Sequence, residues 1–313
     1  MNTDYTLDGL DHQPVLYQFI IEALRPTSGG KYIDGTVGSG GHAAGILSAS
    51  SPDGKLLGLD LDPSAIELAH QRLQPFNERA IVVQSSYTTM QDQVDKLGWD
   101  QVDGILIDLG VSSMQLDQPT RGFSFRESAP LDMRFNPNNP MTAGMIVNEY
   151  PEEEISRIIW EYGEDRLSRR IARAIVNHRP IETTTQLARV ITDASGHKFQ
   201  PIHPATRTFQ ALRIAVNDEL KGLEKVIPMA INLLKVGGRL AVISFHSLED
   251  RIVKTRFRTE SKDCICQTDQ IICTCNHKAS IKEITRKPVI PGDEEIAQNP
   301  RARSAKLRIV EKL

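Results

Sequence analysis

Apolar runs without polar alternation recur through the first 110 residues, each followed by a turn and a stretch with helical spacing. Continuous runs such as Ile105-Leu106-Ile107 are typical of strands that are covered on both faces. The predicted strands are Lys31–Asp34, Leu56–Asp60, Ala80–Gln84 and Gly104–Asp108. The predicted helices are Gly41–Ala49, Pro63–Leu73 and Thr89–Leu97. This alternation predicts an α/β protein with a doubly wound, Rossmann-like parallel sheet.

The alternation stops at about residue 115 and resumes near residue 205. The predicted domains are therefore a core of residues 1–114 and 205–313 and a helical, substrate-recognition insertion of residues 115–204. A loop rich in Pro, Asn and Gly covers residues 121–139. The aromatics of Arg121–Phe125 are either a core plug or a substrate lid, and we favour the lid, because long loops in compact domains are usually functional. Gly237-Gly238 is expected to end a helix ahead of a core strand over Arg239–Phe245.

A glycine-rich turn follows the first predicted strand, and acids end the first two strands. Gly38, Gly40 and Gly41 would let backbone N–H groups and a helix N-terminus come close to a ligand. Asp60 lies at the distance along the chain at which a carboxylate grips a ribose in nucleotide-binding βαβ units. The sequence therefore predicts an adenosine-containing cofactor.

Two cofactors compete for this turn. Gly38-x-Gly40-x-x-Ala43 satisfies the dinucleotide fingerprint, which would indicate an NAD-dependent oxidoreductase. Asp34, however, ends the first strand just before the turn, where its charge would repel a pyrophosphate and attract an ammonium group. S-adenosylmethionine (SAM) carries an ammonium and no phosphate, so the pattern favours SAM and a class I methyltransferase. A structural turn without a ligand is the third interpretation.

Composition places limits on the partners. The chain has 313 residues and a formal net charge of −3, so nucleic acid would have to bind through a local basic patch. No apolar run approaches the ~20 residues of a membrane helix. The polar N-terminus lacks the pattern of a signal peptide. We therefore expect a cytoplasmic protein with no membrane partner.

All four cysteines lie in one short segment, as Cys264-x-Cys266 and Cys273-x-Cys275. A cytosolic location argues against disulfides. Four thiols this close can chelate zinc tetrahedrally, although the Cys-x-Cys spacing differs from the usual Cys-x2-Cys of zinc ribbons. The sequence favours reduced thiols without a metal over a zinc site, and leaves both open.

Several long strings are more specific than the turn. They are Asp108-Leu109-Gly110-Val111-Ser112-Ser113, Arg121-Gly122-Phe123-Ser124-Phe125, Leu131-Asp132-Met133-Arg134, His203-Pro204-Ala205-Thr206-Arg207, Ser244-Phe245-His246-Ser247-Leu248-Glu249-Asp250-Arg251 and Asn299-Pro300-Arg301-Ala302-Arg303-Ser304. Together they closely resemble the RsmH (MraW) family of bacterial methyltransferases, over roughly His12 to the C-terminus. The resemblance implies a SAM-dependent enzyme that methylates N4 of a decoding-centre cytidine in the 16S rRNA of the small ribosomal subunit.

The resemblance also implies a set of SAM contacts, to which the turn analysis adds Asp34 and Gly38. The matching positions are Gly40-Gly41-His42, Asp60, Tyr87, Asp108 and Gln115. Tyr87 stands where the family often has Phe, and it keeps an aromatic face for the adenine. Met114 replaces a residue that is commonly Pro.

Methyl transfer to cytosine N4 needs a protein acceptor near the amine hydrogens, because the nitrogen lone pair is delocalised into the ring. Most amino-methyltransferases place a Pro-Pro-aromatic motif after the fourth strand, and this chain lacks it. Asp108 is the predicted acceptor, with a role in holding SAM as an equal alternative. His246, Ser112 and Ser113 are further catalytic candidates, against structural roles as a satisfied histidine and as helix-capping serines.

Residues near the C-terminal part of the core are candidates for RNA contact. Phe245 could stack on an extruded base. Arg251, Lys254, Arg301 and Arg303 are expected to neutralise phosphates, although such residues usually form a solvated face. A ribosome-assembly or RNA-binding factor that holds SAM without turnover is the alternative from another class. The sequence leaves the oligomeric state open, with a homodimer as one option.

Overall fold

The computed structural model describes residues 14–196, 202–266, 270 and 272–313. Contacts divide the chain into two compact units. The first unit comprises Met1–Asp60, Ile66–Leu109 and Val226–Leu313, and the second comprises Leu61–Ala65 and Gly110–Lys225.

The strands of the described residues form one seven-stranded sheet in the first unit. They are β1 (Lys31–Asp34), β2 (Lys55–Asp60), β3 (Ala80–Gln84), β4 (Val102–Asp108), β5 (Leu234–Ser244), β6 (Ile281–Glu283) and β7 (Lys306–Lys312). Their order is β3-β2-β1-β4-β5-β7-β6; β1 to β5 are parallel, and β7 is antiparallel to β5 and β6. The predicted α/β class is confirmed. The strand order reverses between β1 and β4, and ligands bind at the carboxyl ends of such strands in open α/β sheets.

Helices account for most of the remaining described residues. The α-helices are α1 (Tyr17–Leu24), α2 (Gly41–Ala49), α3 (Pro63–Leu73), α4 (Met90–Lys96), α5 (Ser113–Asp117), α6 (Ala143–Glu149), α7 (Glu152–Gly163), α8 (Ser168–Asn177), α9 (Thr184–Ser195), α10 (Ala205–Asn217), α11 (Glu219–Leu233), α12 (Ser247–Glu260) and α13 (Asp293–Gln298). Short 3₁₀ helices cover Gln74–Arg79, Tyr87–Thr89, Pro119–Arg121 and Pro300–Ser304. Within the described ranges, no helix combines the length and the apolar character that a membrane crossing requires.

Both faces of the central strands are apolar and covered. Leu56, Leu106 and Leu307 lie in one buried cluster with residues of α1 and α2. Leu57 and Ile105 point to the opposite face, because successive strand residues alternate, and they are equally buried. Burying each such side chain contributes roughly 1.5–3 kcal/mol to folding. The continuous apolar runs of the sequence are explained by this two-sided packing.

The prediction that Gly237-Gly238 ends a helix is wrong. Helix α11 ends earlier, at Leu233, and β5 begins directly at Leu234. The register of β5 against β4 shifts between the pairs Val102↔Leu234 and Gly104↔Arg239. Gly237, with a φ of +80°, therefore lies at an irregularity within the strand rather than at a helix end.

The second unit is helical and has its own core. Helix α7 begins with three glutamates, which suit the positive end of the helix dipole. It packs against α8 and α10. Helix α10 buries Phe209 and Leu212 in the same apolar cluster as Ile155 and Ile159 of α7. The second unit therefore includes α10 and extends to Lys225. The sequence suggests a boundary at residue 204.

The prediction that the aromatic side chains of Arg121–Phe125 form a substrate lid is wrong. Phe123 is 9% exposed and belongs to the core of the second unit. Phe125 packs edge-on against Phe209, with the ring centroids 4.9 Å apart. The Arg134 guanidinium donates to two carbonyl oxygens further along the loop, both at 2.7 Å. These residues close an apolar core, which explains why a long loop is ordered here.

Candidate active site

The glycine turn between β1 and α2 is built by backbone geometry that glycine accepts easily. Gly38 and Gly40 have φ values of +52° and +82°. The N–H of Gly38 donates to Asp60 Oδ2 at 3.0 Å, so the acid that ends β2 also fixes the turn. No side chain caps α2 at Gly40. Helix α2 therefore begins with backbone N–H groups that a ligand can contact.

Three ionisable side chains lie beside this turn. Asp34 is 1% exposed and accepts a hydrogen bond from the Thr36 N–H at 3.2 Å. The Asp108 N–H donates to Thr36 Oγ1 at 2.7 Å, which ties the end of β4 to the turn. Asp108 Oδ2 lies 3.9 Å from His42 Nε2 of α2. The structure thus brings together three residues that the sequence assigned to the site.

Burial shifts the pKa of each of these side chains. It raises the pKa of Asp34 to about 7, with the Thr36 N–H opposing and the Asp60 charge adding to the shift. Burial also raises the pKa of Asp108 well above its ordinary value, and the charges of Asp34 and Glu249 add to this. Burial lowers the pKa of His42 to about 4, so its imidazole is neutral at pH 7.

Several buried polar atoms of this group have no hydrogen-bond partner among the described residues. They are His42 Nδ1, His42 Nε2 and Asp108 Oδ1. Buried polar atoms are nearly always paired, and leaving one unpaired costs about 1–3 kcal/mol. A ligand with polar hydrogens, an acceptor for the imidazole N–H and a positive charge would satisfy them and would stabilise ionised carboxylates. The residues present therefore fit SAM better than a phosphate-bearing dinucleotide.

SAM affinity should rise with pH below neutrality. A cationic ligand favours ionised Asp34, whose pKa is raised to about 7, so binding at lower pH must release a proton. We expect the Kd to fall by up to about tenfold per pH unit between about pH 5 and 7 and then to level off. Calorimetry in buffers of different ionisation enthalpy measures the proton release. Asp34→Asn should flatten the profile, and a wild-type Kd that rises with pH would contradict this account.

Tyr87 lies close to the glycine turn. It follows β3 and begins the 3₁₀ helix Tyr87–Thr89. A Cβ placed on Gly35 would lie 3.3 Å from the Tyr87 Cβ, so the residue packs against the end of β1. This position suits an aromatic face for an adenine, and that role stays a prediction.

His246 is the N-cap of α12. Its Nδ1 accepts from the Glu249 N–H at 3.4 Å, and its Nε2 lies 3.1 Å from Glu249 Oε1 without hydrogen-bond geometry. Glu249 is 2% exposed, and its Oε2 accepts from the Phe245 N–H at 2.8 Å. Sequence reasoning missed Glu249, although its place three residues after the N-cap is the signature of a capping box. The observed role of His246 is structural, and its catalytic role stays a prediction.

Ser112 and Gln115 form a second capping box, within the second unit. Ser112 Oγ accepts from the Gln115 N–H at 3.2 Å, and Gln115 Oε1 accepts from the Ser112 N–H at 3.1 Å. Gln115 Nε2 donates to Asp62 Oδ2 at 2.9 Å, and Asp62 also pairs with Arg121 at 2.8 Å. Both polar atoms of the Gln115 amide are thus engaged. Ser113 begins α5, and its side chain lies outside what the structure describes.

The predicted RNA-contact residues differ in exposure. Arg251, Lys254, Arg301 and Arg303 are exposed. Phe245 is only partly buried, and it packs against the core of the first unit. These residues have the exposure that a role in phosphate binding or base stacking requires, and both roles stay predictions.

The four cysteines converge. The Sγ atoms of Cys264, Cys266, Cys273 and Cys275 all lie within 4.8 Å of one another. The spacing of the cysteines in the sequence did not show whether their sulfur atoms come together.

Comparison with known families decides the class of the protein. The model of the MraW methylase family matches residues 9–313. The chain belongs to the MraW methylase family. This membership excludes the NAD-dependent oxidoreductase that the glycine fingerprint left open, and it agrees with the fit of SAM to the turn.

Several similar bacterial proteins carry one name. This member of the MraW methylase family is 51% identical over 308 residues to a ribosomal RNA small subunit methyltransferase H of Heliobacterium mobile, covering 96% of this chain and 99% of that protein. It is 53% identical over 307 residues to the protein of that name from Geobacter sulfurreducens, again covering 96% and 99%. A solved rRNA methylase from Streptococcus thermophilus aligns with 95% of this chain and 93% of its own length, at 11% identity and a TM-score of 0.43.

Proposed function

We propose that this chain transfers a methyl group from SAM to the N4 amine of a decoding-centre cytidine in 16S rRNA. The observation that carries the proposal is Asp108, which ends β4 beside the glycine turn with a buried, unpaired Oδ1. The shared name of the relatives supports small-subunit rRNA as the substrate. We place the reaction in the cytoplasm, on the small ribosomal subunit.

SAM, when bound, supplies an electrophilic methyl group on a sulfonium. In this proposal, Asp34 pairs with its ammonium and the backbone N–H groups of residues 38–41 contact its polar atoms. Asp60 accepts hydrogen bonds from the ribose, and Tyr87 offers its ring to the adenine. The side-chain positions described above support each of these assignments.

Asp108 acts as the proton acceptor. Its ionised carboxylate accepts a hydrogen bond from the N4 amine, which localises the nitrogen lone pair, and it takes the proton that the amine loses after transfer. Burial raises the pKa of Asp108 well above its ordinary value, which makes its carboxylate a stronger proton acceptor. The backbone bond from Asp108 to Thr36 holds the carboxyl in place.

Phe245 and His246 are assigned to positioning the cytosine ring, and not to proton transfer. A cytosine inside folded rRNA has to leave its stack before its amine can react, and an aromatic ring can receive it. Phe245 directly follows β5 and is partly exposed. His246 is committed to capping α12, so we assign it a positioning role. Ser112 is similarly committed to capping α5, which leaves Asp108 as the favoured acceptor.

Neutralising two exposed arginines should weaken subunit binding. Arg301 and Arg303 lie in the 3₁₀ helix Pro300–Ser304, whereas the neighbouring Arg308 is 4% exposed and is paired with Asp250 at 2.7 Å. Replacing Arg301 and Arg303 by Gln should reduce the slope of log Kd against log salt. The expected reduction is the part of the slope that about two phosphate contacts contribute. Binding titrations with small subunits at several salt concentrations measure this slope.

A charge-matched control comes from the opposite edge of the sheet. Lys55 begins β2 and Lys96 ends α4, and both are exposed. Their double replacement by Gln removes the same charge and should leave the salt slope unchanged. If the arginine variant keeps the wild-type slope, Arg301 and Arg303 are structural.

Single-turnover transfer tests the proposed activity. Labelled SAM is mixed with excess enzyme and small subunits, and label in 16S rRNA is followed over time. We expect label to accumulate in the rRNA. A factor that holds SAM without turnover would show SAM binding in calorimetry and no label in the rRNA, and that result would overturn the proposal.

A further inference from the structure

The cysteine segment after α12 presents four sulfur atoms at nearly equal spacing. Cys264 Sγ lies 3.6 Å from Cys273 Sγ and 3.8 Å from Cys275 Sγ. The Sγ atoms of Cys273 and Cys275 are 3.6 Å apart, so three sulfurs form a nearly equilateral triangle. Cys266 Sγ is within 4.8 Å of all three. Four sulfurs within 4.8 Å of one another are close enough to bind a single metal ion.

The base of this segment is held by hydrogen bonds to the C-terminal end of α12 and the residues just after it. The Ser280 N–H donates to Glu260 O at 2.9 Å, and the His277 ring contacts Lys262 O through Nδ1 at 2.8 Å. Beyond that base, no described residue from Lys262 to Ala279 is buried. Among the described apolar residues of this segment, Ile265 is 47% exposed and Ile272 is 75% exposed. A segment without a core needs a cross-link to hold one conformation.

The sulfur geometry favours a metal over disulfides. A disulfide would bring one pair of sulfurs to about 2.05 Å, and the three measured pairs are equivalent and longer. Zinc bound by four thiolates at about 2.3 Å in tetrahedral geometry places the sulfurs roughly 3.8 Å apart. Two backbone groups also donate to sulfur: Ile265 N–H to Cys275 Sγ and Thr274 N–H to Cys266 Sγ, both at 3.5 Å. Such bonds stabilise the thiolate form that binds metal.

We propose that Cys264, Cys266, Cys273 and Cys275 bind one Zn²⁺ ion as a structural tetrathiolate site. All four positions of the ion are filled by protein, so the site holds no open position for substrate or water. Each thiol gives up its proton to solvent on binding, and no electron is transferred. The role of the ion is to fix the segment between α12 and β6, independently of methyl transfer.

Metal content of the full-length protein tests the proposal. Purified wild-type protein should contain about one zinc per chain by mass spectrometry. Exchange with Co²⁺ should give the absorption of tetrahedral cobalt and the charge-transfer band of cobalt thiolates. Replacing Cys264 and Cys275 by Ser should abolish both signals. Thr274→Ala is the matched control: its side chain is exposed between two of the cysteines, its backbone donor is retained, and zinc should stay bound.

A second readout separates loss of zinc from loss of the fold. In the Cys264→Ser and Cys275→Ser double variant, we expect SAM affinity within about twofold of wild type and faster proteolysis confined to residues 261–280. A chelator should produce the same cleavage in the wild type. Wild-type protein that carries no metal and takes up no tetrahedral cobalt would overturn the proposal. A mass loss showing a disulfide among the four cysteines would overturn it equally.

Discussion

Asp108→Asn is expected to lower the rate of methyl transfer by about 10²–10⁴-fold, the usual contribution of a positioned base. The amide is isosteric with the carboxyl, and the backbone bond from residue 108 to Thr36 does not depend on the side chain. SAM affinity should therefore fall much less than the rate. Single-turnover kinetics across a SAM titration separates the two quantities.

The matched control for this variant is Asp100→Asn, an exposed acid just before β4, which should react at the wild-type rate. If Asp108 only holds SAM, rate and affinity should fall together, and saturating SAM should restore the rate. Full rescue at saturation would rule out Asp108 as the acceptor and move that role to His246 or the Ser112-Ser113 pair.

Asp60→Ala is expected to weaken SAM binding by about 1.5–3 kcal/mol, or roughly 10- to 150-fold, the range for hydrogen bonds to a charged group. Two effects combine, because Asp60 is assigned to the ribose and its Oδ2 also accepts from the Gly38 N–H of the turn. Asp60→Asn keeps an oxygen acceptor for Gly38 and removes the charge, so its loss should be smaller. Calorimetry on folded variants measures both, and unchanged affinity in the two would refute the cofactor site.

Local sequence signals were enough for the framework of the site. The strands that end in Asp34, Asp60 and Asp108 are continuous apolar runs, and strands covered on both faces need such runs wherever they occur. The glycine turn was equally visible, because Gly38 and Gly40 adopt positive φ values that few other residues tolerate. The fold follows from these features without knowledge of distant contacts, whereas the choice between SAM and NAD rested on family membership.

The remaining features depend on residues far apart in the chain. The sequence around Gly237 is typical of a helix end, and only the pairing of β5 with β4 places this glycine inside a strand. The long loop around Phe123 suggests a lid, and only the packing of the second unit shows that Phe123 is a core residue. The pKa of Asp34 follows from burial, and burial is a property of the folded unit rather than of the turn.

The helix-capping residues show another limit of prediction from sequence. His246 and Ser112 each attracted a catalytic interpretation because they follow strands at the ligand edge. In the structure both accept a hydrogen bond from the backbone N–H three residues later, which satisfies the start of a helix. A side chain at this point of an α/β fold can serve the helix, the substrate or both, and the sequence does not separate these roles.

We propose that the protein methylates N4 of a 16S rRNA cytidine. The most direct measurement is to incubate unmodified small subunits with this protein and labelled SAM, digest the 16S rRNA to nucleosides, and identify the labelled nucleoside by mass spectrometry. The account predicts label in N4-methylcytidine, at a single cytidine of the decoding centre, and its loss with Asp108→Asn. Label at C5 of cytidine, in another nucleoside or in none would contradict it.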